Sequence, residues 1–265
     1  MNLPEINYLC HFEPTWYSIS WIPILVEFTI IVLSFRTLFL NRIFLFQFKN
    51  PRIPALYLLI TACICRLSWY IDFMGCNYIF DHKTREALLR FSQCLWLQVY
   101  AFIMLFWHKL LHLILIGKNV GACQTKLAIS FCLSCFILTI VLLATNQSTA
   151  LGIIFIILVG CMMITGLCSG IPVIRAMHQL LPIQPPAVDH RTKLLRRTQI
   201  TLGGTLIVAT MLIILTTCKY VYRWNVDHYQ PTYFCFLILI HCVCEPIIAY
   251  LQYYALYFRK FNSMI

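Results

Sequence analysis

Charge is what this chain has least of. Only 11% of its 265 residues are Asp, Glu, Lys or Arg, against roughly a quarter in an average globular chain. Acidic residues are the scarcer kind, 9 against 20 Lys and Arg. A soluble surface cannot be built from so few charges, which excludes most soluble enzymes and DNA-binding domains. Catalytic signatures are missing as well. There is no Gly-x-Ser-x-Gly, no His-Glu-x-x-His, no paired Asp motif of an intramembrane protease and no phosphate-binding glycine loop. The expectation is a protein that is not an enzyme and needs no cofactor.

Apolar sequence takes the place of charge. Hydrophobic residues make up 61% of the chain and mean hydropathy is +0.80. Apolar runs recur from end to end, each long enough at about 1.5 Å per residue to cross a hydrocarbon core of about 30 Å. They predict an all-α, polytopic membrane protein, a single domain over residues 1–265, with seven spans at about 18–40, 53–73, 92–116, 127–145, 150–173, 200–221 and 233–256. The first run has no small-residue cleavage site and carries Arg36 near its end, so it reads as an anchor rather than a removed signal peptide. No internal repeat is visible, which argues against transporter folds built from paired halves.

The net charge of +11 would suggest nucleic acid in a soluble protein, but here the cations sort by membrane side. Loops one, three and five and the C-terminal tail carry Arg42, Lys49, Arg52, Lys109, Lys118, Lys126, Arg175, Arg191, Lys193, Arg196, Arg197, Arg259 and Lys260, 13 in all, against five on the opposite side: Lys83, Arg85, Arg90, Lys219 and Arg223. Positive residues are retained in the cytosol, so the N-terminus is expected to be lumenal or extracellular and the C-terminus cytosolic. Acidic residues agree, with Asp189 alone on the cytosolic side. Trp16, Tyr17 and Trp21 open the first span as interfacial aromatics do. Asn146-Gln147-Ser148 is a glycosylation sequon on the lumenal side, in a loop so short that Asn146 lies too close to the bilayer to be an expected acceptor.

Ionisable groups inside a span are expensive and point to function by default. Glu27 lies roughly 14 Å in from the lumenal end of span one, Arg66 roughly 10 Å into span two and Glu245 roughly 18 Å into span seven. If these spans are neighbours, Arg66 can pair with Glu27, with Glu245 or with both. Such a cluster is either a structural ion pair or a ligand-binding or switching element. Pro246, directly after Glu245, removes a backbone donor and makes a hinge beside the carboxylate. His241 precedes Glu245 by four residues, on the same helical face.

Other polar features read more plainly. His108 and His112 are one turn apart, a spacing that can share a metal, but no acid stands near them and no metal is expected. Cysteines such as Cys63, Cys94, Cys132 and Cys135 lie in apolar runs, where free Cys acts as a small hydrophobe. The longest loop, about 174–199, contains Pro182, Pro185 and Pro186 and then a basic stretch with Arg191, Lys193, Arg196 and Arg197. Next to an anionic cytosolic leaflet each such cation is worth about 1 kcal/mol, so the stretch contacts either lipid or a cytosolic partner.

Three stretches together resemble the tobamovirus-multiplication family of plant seven-helix membrane proteins and its animal lysosomal relatives. They are Val99-Tyr100-Ala101-Phe102-Ile103-Met104-Leu105-Phe106-Trp107, then Arg191-Thr192-Lys193-Leu194 leading into span six, and Glu245 followed by an apolar run and Arg259-Lys260. The likeness covers about half the chain and departs from the family at His108, Lys109, Pro246 and the Phe261-Asn262 tail. The resemblance implies a receptor-like bundle in vacuolar, lysosomal or other endomembranes, whose cytosolic face recruits small GTPases or viral replication proteins. On that basis the expected function is a non-enzymatic scaffold or regulator. The alternatives are a plasma-membrane sensory receptor that binds a small ligand and couples to a G protein, and a proton-coupled transporter using Glu27, Arg66 and Glu245. Against the receptor stand Trp107-His108-Lys109 where an acidic-Arg-Tyr triplet would end span three, and a loop between spans four and five without cysteine.

Overall fold

A computed structural model of the chain describes residues 13–40, 50–74, 79–116, 122–145, 147–180, 188–225 and 231–257. Every regular element among them is helical: α1 (Glu13–Leu40), α2 (Arg52–Met74), α3 (His82–Ile116), α4 (Ala122–Ala144), α5 (Ser148–Leu180), α6 (Val188–Asn225), α7 (Pro231–Ile238), a π-helical segment (Leu239–Cys244) and α8 (Glu245–Leu256). The last three run on from one another as a single seventh span. Seven stretches are long and apolar enough to cross a membrane, and helices are the economical choice there because each satisfies its own backbone hydrogen bonds. Hydroxyls are handled the same way: Thr29, Thr61, Thr139, Thr165, Thr210 and Thr217 each donate to the carbonyl four residues back.

The seven apolar stretches coincide with the expected runs, but several helices are longer. α3 begins at His82 rather than near 92, α5 continues to Leu180 and α6 starts at Val188. Hydropathy registers the hydrocarbon, whereas a helix continues into the interface as long as its ends are capped. Asp81 caps α3 by accepting from the Thr84 amide at 3.2 Å, and Asn50 caps α2 through the Arg52 amide at 3.1 Å. Much of the expected 174–199 loop is therefore helical, α5 running to Leu180 and α6 starting at Val188, and Arg175, Lys193, Arg196 and Arg197 stand on helices.

α3 is the most buried span and α4 the least. α3 packs against α2, α4, α5 and α8, with Ile103, Val99 and Trp107 at its core. α4 turns Leu127, Leu133, Ile137 and Ile140 outward, an apolar surface that only a bilayer or another apolar partner covers. Neighbouring helices alternate in direction. Thr37 near the end of α1 lies 3.4 Å from the Tyr253 hydroxyl late in α8. Arg52 at the start of α2 sits 3.7 Å from the centre of the Phe106 ring late in α3, and Arg197 early in α6 donates to the Tyr257 carbonyl at 2.9 Å. At the opposite end, buried Asp72 late in α2 pairs with Arg85 early in α3 at 3.2 Å.

Close approach of α5 to α3 and α6 depends on two glycines. A Cβ on Gly166 would run into the Tyr100 hydroxyl, and one on Gly170 would meet Leu202 and Trp107. Tyr100 is held by the edge of Trp107, their ring centres 6.3 Å apart, so it has little room to retreat. Gly166→Ala is expected to cost about 1–3 kcal/mol, read as a lower unfolding midpoint in detergent, and Tyr100→Phe in the same chain should recover most of the loss by removing the clashing oxygen. The α3 cap titrates: the Thr84 hydrogen bonds hold the exposed Asp81 carboxyl below its ordinary value. A lowered folded pKa stabilises above the unfolded pKa and loses that contribution as pH falls through the folded one. Protection of the Thr84 amide against hydrogen exchange should therefore decline on acidification below the ordinary Asp range of about 4, and not do so in Asp81→Asn, whose cap carries no titrating group.

Candidate functional site

Arg66 and Glu245 meet as a contact ion pair between α2 and the start of α8, with side chains 0% and 1% exposed. Of the partners open to Arg66, the fold selects Glu245. Glu27, on α1, is also fully buried. It neighbours the Cys63 thiol and the field of Arg66, but neither of its oxygens has an N–H or O–H partner.

Further residues complete the cluster. Gln93 on α3 donates to Glu245 Oε1 at 3.2 Å and accepts from Arg90 at 3.3 Å. His241 Nδ1 lies 2.9 Å from Glu245 Oε2 and 2.7 Å from Arg66 Nη2. Arg66 has only donors and one nitrogen cannot both accept and donate. Nδ1 therefore accepts from Arg66 when it carries no proton and donates to Glu245 when it does; the two bonds exclude one another. The Tyr70 hydroxyl donates to the His241 carbonyl. Trp69, Tyr70 and Trp96 surround the guanidinium, which lies 4.4, 5.0 and 5.8 Å from their ring centres, so it is met by aromatic faces where hydrogen bonds are lacking.

The seventh span carries its irregularity here. The backbone is π-helical over Leu239–Cys244, and the Glu245 amide donates to the carbonyl of Ile240, five residues back. Pro246 follows within the first turn of α8, where an absent N–H is tolerated. In an uninterrupted α-helix the Pro246 ring would press on the carbonyl four residues earlier, and widening the turn before it relieves that pressure. The distortion therefore precedes the proline and includes His241.

The remaining candidates are placed separately. His108 and His112 stack edge to face with ring centres 4.7 Å apart, and no group of three or more His, Cys, Asp or Glu able to hold a metal occurs among the described residues. Cys132, Cys135, Cys242 and Cys244 are free thiols. Lys193 and Arg196 are exposed at the start of α6. Arg197 instead bonds the Tyr257 carbonyl and lies 4.9 Å from the Tyr257 ring centre and 5.6 Å from that of Tyr254. Asn146, Pro182, Pro185, Pro186, Arg259, Lys260 and the side chain of Arg191 lie outside the described residues.

Sequence reasoning missed Gln93, Tyr70 and Trp96. An amide near the start of a span and aromatics within one are too common to stand out, and nothing local says which of them faces a charge on another helix. Compared with models of known protein families, with curated proteins and with solved structures, the chain matches none.

The pair itself is testable. Glu245→Ala leaves a buried guanidinium without its counter-charge and should cost about 3–5 kcal/mol. The double variant Arg66→Met/Glu245→Leu should lose far less, because it removes both desolvated charges. Unfolding midpoints of the two single variants and the double in detergent check this; a double as unstable as the sum of the singles would contradict it.

Proposed function

We propose that the chain is a non-enzymatic, seven-helix membrane protein with a receptor-like bundle. Its N-terminus is lumenal and its C-terminus cytosolic, and it acts as a scaffold or regulator on an endomembrane, vacuolar or lysosomal as the resemblance implies. The observation that carries this reading is the partition of charge between the two ends of the bundle. Arg36, Arg52, Lys109, Lys126, Arg175, Lys193, Arg196 and Arg197 share the end where α1, α3 and α5 finish and α2, α4 and α6 begin, with Asp189 the one acidic residue there among the described residues. Asp72, Asp81 and Glu86 lie at the other end. Retention of positive charge makes the basic end cytosolic.

On that face Arg36, Lys126, Arg175, Lys193 and Arg196 are exposed. They offer an acidic partner, such as a small GTPase, a set of cations already held beside the anionic leaflet. Arg197 has a different part: by gripping the end of the seventh span it aligns the start of α6 with Tyr254 and Tyr257. Lys193→Ala/Arg196→Ala should reduce the labelling of cytosolic neighbours by a proximity enzyme fused to the C-terminus at least several-fold while leaving membrane residence unchanged. Plasma-membrane residence with G-protein or arrestin neighbours, unaffected by these substitutions, would overturn the reading.

A further inference from the structure

Between α3, α5, α6 and the seventh span lies a half-open cavity, in the kind of position between helices of a bundle where small-molecule sites occur. Most of its wall is apolar, with Phe155, Met162, Met163 and Leu212 among the lining residues. Glu245 lines it, but no residue of spans one and two does.

The polar minority of the wall is unusual. Trp96, Thr205 and Gln252 line the cavity, each is less than a tenth exposed, and each has a polar atom with no hydrogen-bond partner: Trp96 Nε1, Thr205 Oγ1 and Gln252 Oε1. Buried polar atoms rarely stay unpaired, because each costs about 1–3 kcal/mol. Gln252 is fixed in orientation, since its Nε2 donates to the Trp96 carbonyl at 2.9 Å and a carbonyl can only accept; Oε1 is therefore left as an acceptor. On the same helix the hydroxyls of Thr198 and Thr210 bond the carbonyl four residues back, whereas those of Thr201 and Thr205 do not, and of these two only Thr205 lines the cavity. The residues of the wall thus bring one donor, one acceptor and one hydroxyl able to act as either. Glu245, the only charged residue in its wall, is already neutralised by Arg66.

We propose that this cavity binds an uncharged, largely apolar small molecule bearing a hydroxyl group. Its hydroxyl donates to Gln252 Oε1 and accepts from Trp96 Nε1–H, with Thr205 alongside, and its apolar body lies against Phe155, Met162 and Met163. A cation finds no unpaired carboxylate there and an anion no free cationic group. Glu245 joins this wall to the Arg66 cluster, so an occupant would touch the residue around which the seventh span is distorted.

The test uses full-length protein in phosphatidylcholine nanodiscs and two photoreactive probes, a trifluoromethyl-phenyldiazirine carrying a benzylic hydroxyl and the same compound without it. The alcohol is expected to label Phe155, Met162 or Met163 above the background at lipid-facing Ile140 and Ile157, to label them more than the hydroxyl-free parent does, and to be displaced by excess non-photoreactive trifluoromethylbenzyl alcohol. Thr205→Val and Gln252→Leu should each reduce cavity labelling about fivefold, the value of one hydrogen bond, and Ala209→Phe should abolish it by filling the space. If Gln252→Leu fails to fold for want of its bond to Trp96, Thr205→Val still decides the matter, since its hydroxyl has no partner to lose. Equal labelling by both probes, or cavity labelling unchanged in Thr205→Val and Ala209→Phe, would overturn the proposal.

Discussion

A guanidinium and a carboxylate that meet where almost no water reaches, Arg66 against Glu245, constrain more of this molecule than any other contact. Two charges taken out of water lose hydration worth several kcal/mol each, and their attraction repays it only when the geometry is good and the remaining polar atoms are supplied. That requirement places α2 beside the seventh span. It also brings in α3, which provides Gln93 for Glu245 and Trp96 for Arg66, and it gives α3 a reason to be the central helix beyond its apolar content. The π-helical segment belongs to the same solution, because it lets Pro246 follow Glu245 while His241 stays beside both charges.

α8 connects this cluster to the basic end. The helix starts at Glu245 and ends at Leu256; Gln252 ties it to α3, Tyr253 to α1 and, just past its end, Tyr257 to α6 through Arg197. The buried ion pair and the cationic face are therefore opposite ends of one 12-residue helix. A displacement of the seventh span at Glu245 would be felt at Arg197 without any intervening loop. The mutually exclusive hydrogen bonds of His241 Nδ1 give that region two internally consistent arrangements.

Much of the architecture was legible in the chain. Seven apolar runs gave seven helices because in hydrocarbon an unpaired backbone group costs several kcal/mol, so length and hydropathy nearly suffice. Helix ends were less legible: α3 begins at His82, capped by Asp81, well before its expected span, and α5 and α6 also extend beyond the expected runs. The ionisable residues Glu27, Arg66 and Glu245 stood out because charge is so rare here, but the choice between two carboxylates for Arg66 rested on helix positions that no local pattern records. Arg197 read as one more cation of a basic stretch, whereas its partners lie about 60 residues away in the chain.

By itself the sequence determined that the chain has seven stretches long and apolar enough to cross a membrane, and which few residues would be costly to bury, since these follow from the transfer free energies of single side chains and from the reach of a helix. Tertiary structure alone decided which costs are compensated and which are not. It paired Arg66 with Glu245, left Glu27 beside a thiol, and surrounded a cavity with Trp96, Thr205 and Gln252, three residues that look unremarkable along the chain. Pairing and cavities depend on distances between helices remote in sequence. Those distances are set by close packing at positions such as Gly166 and Gly170, where the absence of a side chain lets α5 approach α3 and α6.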